Sequence, residues 1–321
     1  MNTILLTQTE IQKLLDPTEL LPELIEAFRS YSLNRKIPAQ RARSSLKLEN
    51  TSAIVLFPGL IEHVPAYTIK NHAKFPQETP AIKGVIHLYD IETGALLAIM
   101  DSTYITAVRT GLSGAIGTHL LAKKNAEKIA VIGAGTQGKM QLLSLRCLRD
   151  FSEVFIYDTV RARASMLINE IKAEIDADFY VCQTLEEAVS DVDIIITATW
   201  SREPFLSTHM VKEGVHITTL GPDEPNKAEV SAELIKQASF YCDDRELAVK
   251  MGAIGGVGLD SSFIHAEIGE VINDEALGRI SNHQITIYGS VGLAFQDLAA
   301  AWQVYRKAKE LNIGENINFL E

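Results

Sequence analysis

The strongest chemical signal in the chain is a glycine run, Gly133-Ala134-Gly135-Thr136-Gln137-Gly138. It follows the apolar stretch Lys128-Ile129-Ala130-Val131-Ile132 and opens a segment carrying Met140, Leu143 and Leu148 on a helical stripe. That strand–turn–helix context is the one in which GxGxxG binds a dinucleotide. The first glycine permits the tight turn, the second lets backbone approach a pyrophosphate, and the third lets helix pack on strand. The free amides at the helix start then receive the phosphates. Asp158 stands 20 residues beyond Gly138, at the end of the next strand-like run, where a carboxylate accepts from a ribose 2′-hydroxyl. It favours NAD(H), because it would repel a 2′-phosphate. Arg161 and Arg163 follow closely and could bind that phosphate instead, which keeps NADP(H) open. Thr197, Ala198 and Thr199, at the end of a later run, join the cofactor-binding set. The competing readings are a purely structural turn and a nucleoside-cofactor methyltransferase.

A nicotinamide enzyme also needs a group to hold its substrate's acid end and another to move a proton. Arg41 and Arg43 lie two apart on one strand-like stretch and so face one side. Lys70 follows Tyr67-Thr68-Ile69, and Arg109 interrupts a helical stretch of small and apolar residues. Such a cation either snorkels to water or pairs with an anion, and residue types leave both readings open. Gly221-Pro222-Asp223-Glu224-Pro225-Asn226-Lys227 follows an apolar run over 215–220. Loops at the carboxyl ends of parallel strands line the ligand crevice of open α/β sheets. Two carboxylates between prolines make a stiff acidic loop there; the plain alternative is an exposed turn. Eight histidines show no HxxxH spacing and three cysteines no CxxC, so no metal site is expected. The histidines read as structural or surface residues.

These groups need a scaffold of two kinds. Asp16-Pro17-Thr18-Glu19 is a helix start with a capping box, followed by an apolar stripe at Leu21, Ile25 and Phe28 that ends near Asn34. Strand-like stretches follow at 43–48, 53–57, 66–71, 84–89 and 95–100, the last two joined by a turn ending in Gly94, and together they predict a mostly antiparallel sheet. A helix over 103–122 carries small residues that permit close packing. From Lys128 the pattern changes. Short apolar runs at 129–132, 154–157, 179–182, 194–198, 216–220 and 240–242 alternate with helical segments, the signature of a parallel sheet covered on both faces. A final run at 285–288 precedes a long helix over 293–311. The fold class is therefore α/β: a Rossmann doubly wound parallel sheet plus a mostly antiparallel α+β domain. The expected division is 1–124 with 293–321 against 125–292.

The chain has 321 residues, and its 30 Lys plus Arg against 41 Asp plus Glu give a formal net charge of −11. That surplus of acid makes nucleic acid and membrane surfaces poor partners. An apolar share of 46% with 22% charged residues fits a globular protein with real cores. No long apolar run and no basic leader is seen, so a cytoplasmic protein with reduced thiols is expected.

Taken together, Met100-Asp101 with Thr106-Ala107-Val108-Arg109-Thr110, the glycine turn, Gly221 through Glu229, and Ser290-Val291-Gly292-Leu293-Ala294-Phe295-Gln296-Asp297-Leu298 make the chain similar to the ornithine cyclodeaminase/mu-crystallin family. The resemblance covers nearly the whole chain. It implies a homodimer, with the first domain and last helix serving substrate binding and dimerisation. It assigns Arg43 (Arg41 in reserve), Lys70 and Arg109 to a carboxylate clamp, with Lys70 also counted as catalytic. Asp223 becomes the acidic catalytic residue, and Lys227, Val291 and Gly292 line the substrate site. The implied chemistry is hydride transfer at Cα of a small amino or imino acid. That covers ornithine cyclodeamination to proline, ketimine (pyrroline-2-carboxylate) reduction, alanine-type dehydrogenation and reductive condensation of an amine with a keto acid. Ala81 stands where ornithine-processing members usually carry Thr, and Asn226 where Gly is common; both point away from ornithine while leaving hydride transfer intact. The non-enzyme alternative is a mu-crystallin-like nucleotide-dependent binding protein; the retained Arg43, Lys70, Arg109 and Asp223 favour the enzyme.

Overall fold

The computed structural model describes residues 2–34, 42–44, 54–75 and 78–318. They form two compact units, Met1–Arg109 with Leu293–Glu321, and Thr110–Gly292. The division falls inside the helix Thr103–Leu121, upstream of the fold change near 124 read from the pattern.

The first unit is built on strands β1 (Thr3–Leu6), β2 (Ala42–Ser44), β3 (Ile54–Gly59), β4 (Ala66–Lys74), β5 (Ile82–Asp90) and β6 (Leu96–Asp101). The last strand of the chain, β15 (Glu315–Ile317), joins them in the order β15-β1-β6-β5-β4-β3-β2. Every pairing is antiparallel except β1 with β6. Along β4 the side chains of Ala66, Thr68, Lys70, His72 and Lys74 all fall on the buried face, as the two-residue period of a strand requires. The helices Pro17–Asn34 and Ala294–Leu311 pack together, with Phe28 edge-on to Phe295 at 5.2 Å between ring centroids. The buried stripe of the first helix is Leu20, Leu24 and Phe28, one residue earlier than Leu21 and Ile25 suggested. Burying such a side chain contributes about 1.5–3 kcal/mol. Asp16 does accept from the Thr18 amide at 2.8 Å, but Glu19 pairs with Lys307 at 2.8 Å instead of closing a box. The capping box forms one helix earlier, where the Thr7 amide donates to Glu10 Oε2 at 2.8 Å and the Thr7 hydroxyl accepts from the Glu10 amide.

The second unit carries β7 (Lys128–Ile132), β8 (Glu153–Tyr157), β9 (Asp178–Val181), β10 (Ile194–Thr197), β11 (His216–Thr219), β12 (Ser239–Cys242), β13 (Ile264–Glu267) and β14 (Thr286–Gly289). They make one parallel sheet in the order β13-β12-β14-β11-β10-β7-β8-β9. Adjacent residues serve opposite faces: Ile129 and Val131 enter one apolar core, Ala130 and Ile132 the other. That explains the unbroken apolar runs in these strands. The chain winds outward from β7 through β8 to β9 on one side, while β10 and β11 lie on the other. The strand order therefore reverses at β7 and β10, and such a switch point is where open α/β sheets bind ligands, beyond the carboxyl ends of the strands.

Candidate active site

Each glycine of the turn after β7 has a separate physical duty. Gly133 adopts φ 102°, and a Cβ there would stand 2.6 Å from the Ala198 carbonyl oxygen. Gly138 abuts the Gly133 carbonyl, so helix and turn meet with no room for a side chain. Gly135 is the opposite case: a Cβ on it would meet nothing within 4 Å, and it caps the helix Thr136–Leu145 with no side-chain hydrogen bond. The helix start is thus open to an anion, as a pyrophosphate needs. Ala134, Thr136 and Gln137 belong to this same turn and helix start; Gln137 Oε1 is buried and finds no hydrogen-bond partner among the described residues.

Asp158 follows β8, and its two oxygens each take a backbone donor. Oδ2 accepts from the Ala134 amide at 2.9 Å and Oδ1 from the Val160 amide at 2.8 Å. The carboxylate therefore braces the glycine turn. Arg161 and Arg163 are exposed on the helix Arg161–Ile171. Thr197, Ala198 and Thr199 close β10, and the hydroxyls of Thr197 and Thr199 donate to the buried Glu229 at 2.7 Å each.

The loop after β11 holds Asp223 partly exposed, with Lys227 Nζ 3.2 Å from its Oδ1. Lys227 is buried, and its ammonium sits 4.8 Å from the centre of the Trp200 ring. An ion pair on one side and an aromatic face on the other fix this lysine. Asn226 takes φ 62°, the left-handed region that Gly and Asn tolerate best. Glu224 turns inward and pairs with Arg202 at 2.8 Å.

The Val291-Gly292 turn beyond β14 hangs on one oxygen of Asp243. Asp243 Oδ2 accepts from the Ser290 hydroxyl at 3.0 Å and from the amides of Val291 and Gly292 at 2.8 and 2.6 Å. Burial pushes this carboxyl up, and although those donors pull the other way it remains above the ordinary aspartate value.

In the first unit, Lys70 is wholly buried on β4, and Arg109 is nearly so. Both are met by Asp297, in the first turn of the helix Ala294–Leu311: Oδ1 accepts from Lys70 Nζ at 2.9 Å and from Arg109 Nε at 3.1 Å. Arg109 Nη1 donates to Gln296 Oε1 at 2.8 Å. Burial raises the Asp297 carboxyl, but the Arg109 and Lys70 charges outweigh it and hold the group below its usual value. Arg109 thus resolves as an anion-paired cation rather than a snorkelling one. Arg43 lies on β2 opposite Val55, with its side chain outside the described residues, and Arg41 falls outside them altogether.

Residue types alone gave no role to Glu229, Asp243, Asp297, Gln296 or His72. His72 had a usable signal, because Lys70, His72 and Lys74 alternate with the strand period and so share a face. Asp297 and Asp243 had none in spacing, since their partners lie far along the chain, and Glu229, within ten residues of Thr219 and Gly221, had only its place in the segment from Gly221. Among the described residues no group of three His, Cys, Asp or Glu side chains could hold a metal ion, and no helix is long and apolar enough to cross a membrane.

A parallel sheet with a glycine turn at its switch point defines a Rossmann-type fold. Residues 1–312 match the model of the ornithine cyclodeaminase/mu-crystallin family, and the chain belongs to that family. It is 36% identical to the alanine dehydrogenase of Archaeoglobus fulgidus, over 99% of this chain and 99% of that one. A solved archaeal alanine dehydrogenase dimer with bound NAD superposes with a TM-score of 0.90 at 36% identity, covering 100% of each chain. The Δ1-pyrroline-2-carboxylate reductase of Thermococcus litoralis, solved with NADH and L-proline, gives 0.91 at 29% identity over 98% of this chain and 100% of that one.

Proposed function

We propose that this protein is an NAD(H)-dependent enzyme that transfers hydride at Cα of a small amino or imino acid, working as a ketimine reductase or an alanine-type dehydrogenase. The observation that carries the reading is the buried pairing of Lys70 and Arg109 on one oxygen of Asp297. Two cations sharing one carboxylate in the interior suit a site that receives a second carboxylate, that of the substrate. The open helix start at Gly135 and the Asp158 carboxylate suit NAD(H), and the relatives solved with NAD and with NADH support that choice. NADP(H) is the lesser alternative, through Arg161 and Arg163.

When bound, the nicotinamide supplies or accepts the hydride. Lys70 and Arg109, with Arg43, hold the acid end so that Cα is fixed. Asp223 and Lys227, bonded to each other, hold or move the proton at the substrate nitrogen. Thr197, Ala198 and Thr199 bind cofactor, and Lys227, Val291 and Gly292 line the substrate side. The alanine dehydrogenase relative and the reductase solved with L-proline both support hydride exchange between an amino acid and its imine. Ala81 turns the reading away from ornithine. A homodimer is proposed on the archaeal dimer relative, and a reducing, cytoplasmic setting on three free cysteines.

The test is purified protein with NADH and pyrroline-2-carboxylate, or with pyruvate and ammonium, followed by loss of reduced-nicotinamide absorbance. Consumption that requires the imino or keto acid is expected. NADH binding without turnover of any such acid would favour the nucleotide-dependent binding protein.

A further inference from the structure

Glu229 is wholly buried and its carboxylate takes five donors. Oε1 accepts from the Thr199 amide at 2.6 Å and the Thr199 hydroxyl at 2.7 Å. Oε2 accepts from the hydroxyls of Thr197 and Thr219, both at 2.7 Å, and from the Gly221 amide at 3.0 Å. Thr197 and Thr199 stand where β10 ends; Thr219 ends β11, and Gly221 opens the loop that carries Asp223. The two loops lie so close that a Cβ on Gly221 would fall 2.6 Å from the Thr199 carbonyl oxygen.

Resting on the function proposed above, we propose that Glu229 is the positioning residue of the reaction. It ties the loop that binds cofactor to the loop that moves the proton, so that nucleotide affinity and Asp223 geometry are set by one buried group. Its donors are of two kinds. Hydroxyls rotate and can donate or accept, whereas a backbone amide can only donate. The two backbone donors fall on different oxygens. A glutamine at this position must turn its NH2 toward one of them, and no side-chain flip avoids the conflict. The hydroxyls can turn to accept from that NH2 in either orientation. Glu229→Gln should therefore free one of the two amides, Thr199 or Gly221, and leave the other held.

Amide hydrogen exchange on the protein without nucleotide reads this directly, alongside NADH titration and steady-state kinetics. In Glu229→Gln, exchange at one of Thr199 and Gly221 should quicken by ~10-fold or more while the other stays within ~3-fold, and the Kd for NADH should rise by ~10-fold or more. Thr219→Val keeps the fold's shape and removes one hydroxyl donor to Glu229 while leaving the backbone bonds of Thr219 in place. It should weaken NADH by about 3- to 10-fold, and Thr219→Ser should restore it, a pattern that loss of packing alone would not give. Unchanged protection at both amides in Glu229→Gln overturns the inference. So does a freed amide with unchanged NADH affinity, or Thr219→Val equal to the unaltered protein in both readouts. If the unaltered protein binds no NADH, the proposed function fails and the positioning role with it. If it binds NADH and the variants match it, the positioning role alone fails.

Discussion

Asp297 and Asp243 are the same residue type, each buried to about 1% exposure, and their carboxyls are displaced in opposite directions. Asp297, in the first unit, meets two full charges at 2.9 and 3.1 Å and is held below its ordinary value. Asp243, in the second, meets three amides and a hydroxyl at 2.6–3.0 Å, has the Asp244 charge beside it, and stays above it. The comparison ranks the forces. Two cations at contact distance outweigh the cost of burying a carboxylate, whereas four dipolar donors do not outweigh burial joined by the neighbouring Asp244 charge. It also separates two uses of a buried acid. Asp297 gathers two cations, whereas Asp243 shapes backbone. Asp223 is partly exposed and pairs with Lys227 at 3.2 Å.

The largest effect expected from this difference is on stability. Asp297→Asn leaves Lys70 and Arg109 buried without their shared counter-charge and should lower the unfolding free energy by about 3–5 kcal/mol in urea titration. A loss below ~1 kcal/mol would mean that other anions hold these cations. Asp223→Asn should lower kcat by at least ~10², with NADH affinity within a few-fold, since it removes proton acceptance while keeping shape. Near-normal turnover would pass the role to another group. Lys70→Met keeps the volume and removes one charge, so KM for the substrate acid should rise about 10- to 100-fold while NADH binding holds. Equal KM values would return Lys70 to a purely structural place. Asp243→Asn should cost only about 1–2 kcal/mol, because one amide oxygen can still take all three donors of the turn and only the Asp244 amide loses its acceptor. A cost matching Asp297→Asn would collapse the contrast.

A pH series sharpens the point with a third buried group. Burial, with the Arg279 and Arg149 charges, pushes His216 well below its ordinary value of 6.5, and its ring nitrogens lie 2.9 Å from the hydroxyls of Thr286 and Thr218. The folded protein keeps this imidazole neutral while the unfolded chain takes up a proton below about 6.5. Its contribution to stability is therefore complete above that pH and is lost as pH falls, at about 1.4 kcal/mol per unit for one proton. Unfolding free energies of the unaltered protein and of His216→Gln should converge in slope only above pH 6.5. Parallel curves down to pH 5 would contradict the assignment.

How much of this was legible in the sequence follows from distance along the chain. The glycine turn, Asp158 and the alternation of apolar runs are local, and β7 with the helix Thr136–Leu145 forms where those residues indicate. The long final helix was legible from its start and length. The short strands β1, β13 and β15 were not, being three or four residues each and recognisable only by their neighbours in the sheets. The Thr7–Glu10 box was a local signal passed over in favour of Asp16. For the site, the cations could be named but not their state, because Lys70 meets Asp297 across 227 positions and Arg109 meets it across 188. The same holds for Asp243, 48 positions from the Val291 amide it accepts from. Buried carboxylates that organise a site leave no spacing to read.

The measurement that bears most directly on the proposed chemistry is transfer of deuterium from NADH labelled at the nicotinamide C4. With pyrroline-2-carboxylate, or with pyruvate and ammonium, the label should appear at Cα of the amino acid formed, read by mass spectrometry and proton NMR. NADH left unconsumed with every such acid, or an amino acid product with no deuterium at Cα, would contradict hydride transfer at that carbon.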